Sequence, residues 1–246
     1  MARLLEICVD SMASLEAARE GGADRIELCS ALSLGGLTPS PGLIALAAEQ
    51  PLPCRAMIRP RPGDFAYDDA EIAQMERDID YVAGAGLAGV VFGATRGGAL
   101  DEKVLRRLLD RAAAHGLPAT LHRAIDTVRD PAAEIDTAIA LGFDRVLSSG
   151  GAPTAIEGME TLRAMHARAD GAITVMAGSG IDAANVGRLL AIGIDEIHAS
   201  CSRSCVAEDA KLVRLGFAAP ILLTQADRVR ALRAAIVREL ESSPRT

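Results

Sequence analysis

Short apolar runs begin near Leu4, Arg25, Arg55, Ala88, Ala119, Arg145, Ile173 and Glu196, and stretches with helical periodicity fill the gaps between them. Ile72, Met75, Ile79 and Val82 recur at helical intervals, as do Val104, Leu105, Leu108 and Ala112, and later Val229, Leu232, Ile236 and Leu240. Ser40-Pro41 and Asp130-Pro131 each set a capping side chain before a proline suited to the first helical position, which predicts two helix starts. A weak repeat runs through the chain: G-A-D-R-I-E at Gly22, G-F-D-R-V-L at Gly142 and G-I-D-E-I-H at Gly193, with a degenerate copy at Gly86. Each copy has a Gly where a left-handed residue would end a helix, then a turn, then a strand. The spacing of roughly 20 to 30 residues is that of a strand–helix unit. Eight such units without a low-complexity linker predict a (β/α)8 TIM barrel forming one domain over residues 1–246. An open doubly wound sheet is the alternative, and the number of similar units favours closure.

Composition narrows the picture. Half of the residues are hydrophobic but only 2% are aromatic and Trp is absent, so the core must be built from Ala, Leu, Ile and Val. Such residues suit a parallel sheet buried between helices and its own interior. The net charge of −7 argues against nucleic acid, whose phosphates call for clustered Lys and Arg. No apolar run approaches the roughly 20 residues of a membrane span, and the N-terminus turns acidic at Glu6, too early for a secretion signal. The expectation is a cytoplasmic protein with no membrane contact, in which the five cysteines are reduced thiols.

In barrels of this class the chemistry gathers at the C-terminal ends of the strands. Seven of the eight predicted strands end there in polar, thiol or Gly-rich groups: Glu6-Ile7-Cys8, Glu27-Leu28-Cys29, Arg59-Pro60-Arg61, His122-Arg123 with Asp126 beyond, Ser148-Ser149-Gly150-Gly151, Gly178-Ser179-Gly180 and His198-Ala199-Ser200. Glu6 and Glu27 each share a strand face with a cysteine two residues on. Two inward carboxylates would repel unless a cation intervenes, and Arg59 and Arg61 are the expected partners. Glu27, His122 and Asp126 are candidates for proton transfer. Glu6, Arg59, Arg61, Arg123, Ser149, Gly178, Gly180 and His198 are candidates for holding a small anionic ligand, the glycines by presenting backbone N–H groups. Cys8 and Cys29 lie on neighbouring strands and would together suit a soft ion such as Cu(I), although inward side chains of adjacent strands belong to alternate layers. Each reading has a plainer counterpart: a structural Glu–Arg plug, glycines that only permit turns, histidines that are only hydrogen-bonded, thiols that are small hydrophobes. His115 and His166 fall in helices as surface residues, Cys54 sits at the opposite rim, and Cys201 and Cys205 extend an H-x-x-C-x-x-x-C run whose role stays open.

Seven motifs in order resemble the CutC copper homeostasis family: Glu6-Ile7-Cys8, G-A-D-R-I-E-L-C from Gly22, G-G-L-T-P-S from Gly35, M-I-R-P-R-P-G-D-F from Met57, H-R-A-I-D from His122, L-S-S-G from Leu147 and H-A-S from His198. The resemblance covers roughly residues 3 to 200 and leaves Cys201 to Pro220 unmatched. It implies a TIM barrel, a cytoplasmic homodimer, and copper as the bound ion with Cys8 and Cys29 as the matching thiols. Two functions from different classes remain open at this point. One is copper binding; the other is acid/base chemistry on a small phosphate- or carboxylate-bearing substrate at the rim.

Overall fold

The eight apolar runs become eight parallel strands because each is too short for a stable helix and is stopped by a turn at both ends. In the computed structural model, which describes residues 3–205, 209–216 and 221–242, they are β1 (Leu4–Val9), β2 (Arg25–Leu28), β3 (Cys54–Met57), β4 (Gly89–Phe92), β5 (Ala119–Leu121), β6 (Arg145–Ser148), β7 (Thr174–Ala177) and β8 (Glu196–Ala199). Every strand pairs with its sequence neighbours, and β1 pairs with β8, so the barrel closes. Each predicted strand start falls within one residue of the observed one.

Alternation along the strands divides the chain into two cores. On β1, Leu5, Ile7 and Val9 point outward into one continuous apolar layer under the helices, while Glu6 and Cys8 point into the barrel. The helices that cover the outward face are α1 (Met12–Gly21), α2 (Pro41–Ala48), α3 (Asp69–Ala85), α4 (Glu102–Ala114), α5 (Glu134–Leu141), α6 (Met159–Ala169), the single-turn α7 (Val186–Leu190) and, after a hairpin, α8 (Ala226–Ser242). Their ends follow local rules. Gly22, Gly86 and Gly142 are left-handed caps with φ of 90°, 81° and 95°, the conformation the repeat predicts for them. Asp68 and Glu71 form a reciprocal capping box at the start of α3, and Ser40 caps α2 before Pro41 as expected.

Two expectations need correction. Asp130-Pro131 does not open α5. Asp130 instead caps an intervening turn through the N–H groups of Ala132 and Ala133, and the helix begins at Glu134. Glu6 is not balanced by Arg59 or Arg61. The β1–β2 register sets Glu6 beside Arg25, and the β1–β8 register sets it beside His198. Below the rim, Arg25 joins Glu6 to Glu196, Arg145 joins Glu196 to Asp144, and Arg55 joins Asp144 to Thr120. This chain of ion pairs forms the barrel's floor. It is the structural plug that the sequence allowed for, built from other arginines.

The unmatched segment after β8 forms an antiparallel hairpin, Ser202–Cys205 with Ile221–Thr224, enclosing a short helix at Ala210–Arg214. Residues 206–208 and 217–220 of that segment lie outside the described residues. No helix among the described residues is long and apolar enough to cross a membrane.

Candidate functional site

A cavity of about 370 Å³ opens at the C-terminal rim, at the lower end of the range for small-molecule sites. Its walls carry Cys8, Glu27, Arg59, His122, Arg123, Gly180 and His198 from the expected residues, with Met57, Phe65, Leu147 and Ser179 among others.

One wall is built by β1, β2 and β8. Register decides what meets there: Cys8 stands level with Glu27, and Glu6 with His198. The His198 Nδ1 lies 2.8 Å from Glu6 Oε1, and its Nε2 lies 3.8 Å from Glu27 Oε2. The ligand atoms of Cys8, Glu27 and His198 all lie within 4.8 Å of one another. Burial works against the charge on Glu6, yet the hydrogen bond from His198 and the Arg25 guanidinium hold its carboxyl down at about 2. Burial also opposes a charge on His198, but Cys8, Glu27 and Glu6 around it push its pKa well above the ordinary value. Glu27 moves the other way. Burial and the nearby Glu6 charge raise its pKa, although His198 pulls against them. Its Oε1 is buried without a hydrogen-bond partner.

Cys29 does not join this group. It follows the end of β2, and its thiol donates to Glu27 Oε2 at 3.5 Å from the side away from the cavity. There it is fully buried against Met57 and Val91, under Gly36, and does not line the cavity. Burial, then the Glu27 charge, drives its thiol pKa well above the ordinary value. Cys201 is half-buried, its thiol pushed up to about 12 by burial, and Cys205 lies on the hairpin.

The opposite wall comes from the loops after β3 and β5. The Phe65 ring meets His122 at 4.9 Å between centroids, tilted by 55°, and the Arg59 guanidinium lies 5.0 Å over the Phe65 ring. Arg59 is 5% exposed. It donates to the carbonyls of Leu34, Gly36 and Gly63, tying the β2 and β3 loops together. His122 accepts from the Ala124 N–H through Nδ1, which assigns the proton to Nε2. Burial, helped by the Arg59 charge, lowers its pKa to about 3, so it is a neutral donor at physiological pH. Its buried Nε2–H finds no acceptor.

Four expected site residues do other work. Arg61 turns away from the cavity to Glu71, Asp64 and the Ala66 carbonyl, because its side chain follows the start of α3. Asp126 is not available for proton transfer. Its carboxylate accepts from the Ser148 and Ser149 hydroxyls, the Ser149 and Gly151 N–H groups and Arg123 Nε. Ser149 is fully buried and accepts from Arg123 Nη2, so Asp126 and Ser149 together position Arg123. Gly178 lies beneath the cavity, where a Cβ would come within 2.6 Å of Leu147. Of the Gly-x-Gly turn, Ser179 and Gly180 reach the cavity, both at positive φ. The sequence reading passed over Phe65, although it ends the M-I-R-P-R-P-G-D-F motif as one of only four Phe residues.

The CutC family model matches residues 3–203. This chain belongs to the CutC family. A CutC family protein of Sinorhizobium medicae is 54% identical over 236 residues, covering 95% of this chain and 96% of the relative. One from Caulobacter vibrioides is 48% identical over 240 residues, covering 94% and 97%. A solved structure from Streptococcus agalactiae, described as a copper homeostasis protein CutC, superposes with a TM-score of 0.76 at 31% identity, covering 80% of this chain and 98% of that one. The family-model match ends inside the first hairpin strand, whereas the Sinorhizobium medicae relative matches 95% of the chain.

Proposed function

We propose that this CutC family protein binds a copper ion, Cu(I), at the rim wall through the Cys8 thiolate and the His198 imidazole, with Glu27 beside them as a balancing charge. The observation that carries this reading is the convergence of the Cys8, Glu27 and His198 ligand atoms within 4.8 Å on a cavity wall. Thiolate and imidazole are donors that copper accepts. The surrounding groups fit the role as well. A ligating histidine commonly gives its other ring nitrogen to a carboxylate, which fixes its orientation; here Glu6 holds Nδ1 and leaves Nε2 on the Cys8–Glu27 side. The description of the Streptococcus agalactiae structure supports copper as the ion. The paired thiols Cys8 and Cys29 fit less well, because Cys29 is sealed off from the cavity and its burial opposes the thiolate.

The test is a titration of the reduced protein with Cu(I) against a competing chromogenic chelator. Cys8→Ser and His198→Ala should each weaken binding by at least about tenfold, one lost ligand being worth more than about 1.4 kcal/mol. Cys29→Ser should bind as the wild type does. Retention of wild-type affinity in Cys8→Ser would sink the reading, and equal losses in both cysteine variants would restore the dithiolate pair.

A further inference from the structure

Across the cavity from Cys8, the loop after β3 carries a positive charge, Arg59, that no carboxylate among the described residues balances. Arg59 is 5% exposed, its guanidinium donates to three backbone carbonyls and lies over the Phe65 ring, and its Nε has no acceptor. Among the described residues it has no ion-pair partner, whereas every arginine of the barrel floor has at least one. A cation taken out of water is costly unless an opposite charge accompanies it. Sharing the Phe65 ring with it is the equally buried His122, whose Nε2–H finds no acceptor among the described residues. Next in sequence, Arg123 is gripped through Nε by Asp126 and through Nη2 by Ser149, while its Nη1 donates to no described atom. The N–H groups of Ser179 and Gly180, which also line the cavity, donate to no described atom either.

We propose that this wall is a subsite for a small molecule bearing an oxyanion, a carboxylate or a phosphate. The Arg59 and Arg123 charges face the anion, and one of its oxygens accepts from His122 Nε2–H. The chemistry is one-sided in a useful way. Each of these groups is a donor, so a neutral alcohol or amine would offer them a single uncharged acceptor atom, while an oxyanion supplies several acceptor atoms and the balancing charge at once. The neutral His122 adds no charge of its own and selects for an acceptor oxygen. Held in place by Asp126 and Ser149, Arg123 gives up little side-chain freedom when the ligand arrives. The subsite does not rest on the metal reading, since it uses none of Cys8, Glu27 and His198, although all of them line the same cavity.

The experiment uses the whole protein treated with a chelator, so that copper plays no part. Pyruvate and malonate form one arm, inorganic phosphate and glycerol 3-phosphate a second, and acetamide and glycerol the neutral controls. Binding is followed by thermal shift and by the His122 Nε2 signal in a long-range proton–nitrogen imidazole spectrum. At least one anionic arm should raise the melting temperature and move the His122 signal, and the neutral controls should do neither. The arm that responds identifies the anion. His122→Asn keeps an acceptor for the Ala124 N–H but removes the ring donor, and Arg123→Gln removes the second charge. Each should weaken the responding anion by about tenfold or more, the usual cost of a charge-assisted hydrogen bond. Arg61→Gln, outside the cavity, should change nothing. The proposal is overturned if neither anionic arm moves the His122 signal, or if both variants bind the responding anion as tightly as the wild type. Should His122→Asn fail to fold, Arg123→Gln decides the matter alone.

Discussion

Glu6→Gln is the substitution that most directly tests how the site wall is held. The Glu6 carboxylate is 1% exposed and lies between the Arg25 guanidinium and His198 Nδ1. An isosteric amide keeps the volume but leaves both cationic partners without their shared anion. Removing one member of a buried pair costs roughly 3 to 5 kcal/mol. Arg25 retains Glu196 at 2.7 Å, which places the expectation at the lower end, about 3 kcal/mol. The acid behaviour gives the same size independently. The Glu6 carboxyl is held at about 2 against an ordinary 4.5, which corresponds to roughly 3 kcal/mol of stability at neutral pH. The sign follows from proton binding: the unfolded chain takes up the proton first as pH falls. The contribution is therefore complete above about pH 5 and lost as pH falls through 4.5 toward 2. Urea unfolding at pH 7 should show a loss of about 3 kcal/mol, or about 6 to 12 °C in melting temperature for a chain of this size. The difference between wild type and variant should narrow steadily below pH 4.5. A loss under about 1 kcal/mol at pH 7, or a gap that stays constant down to pH 3, would refute the reasoning.

Other perturbations read separate parts of the same cavity. Gly93→Ala places a Cβ within 2.6 Å of His122 Nδ1 and 2.9 Å of the Ala124 Cβ; it should cost about 1 to 3 kcal/mol in urea unfolding and shift the His122 imidazole resonances. Arg61→Ala removes a half-exposed partner of Glu71 and should cost less than about 1 kcal/mol by the same assay, with Cu(I) affinity unchanged. Because Cys8, Glu27 and Glu6 favour the protonated His198, that proton competes with a metal ion, and competitive titrations should show apparent Cu(I) affinity rising with pH across the neutral range.

The barrel was legible because its signals are local. Helical spacing, Gly caps before strands and apolar runs each depend on a few neighbouring residues, and they placed every strand start within a residue. The site was legible by address but not by pairing. Cys8 and Cys29 share a sequence pattern, yet hydrogen-bond register across two strands matched Cys8 to Glu27 instead. Arg59 and Arg61 alternate as neighbours on one strand end would, but the chain leaves the strand at Met57 and the loop sends Arg61 to α3. Asp126 looked like a partner for His122 because it lies four residues on. The loop after β6, far away in sequence, claims it with two backbone N–H groups and two hydroxyls. Such long-range claims leave no trace in local spacing.

The seam between β1 and β8 has a consequence for the life of the chain before it is complete. Glu6 and His198 are 192 positions apart, and the wall they form exists only when the last strand closes the ring. Synthesis proceeds from the N-terminus, so Cys8 and Glu27 emerge long before His198 is available to join them. Closing so long a loop is also among the slower contacts to form. The β1–β2 pairing can set Cys8 beside Glu27 early, but the three-residue group proposed to hold an ion is complete only when β8 closes the barrel and brings His198 to it.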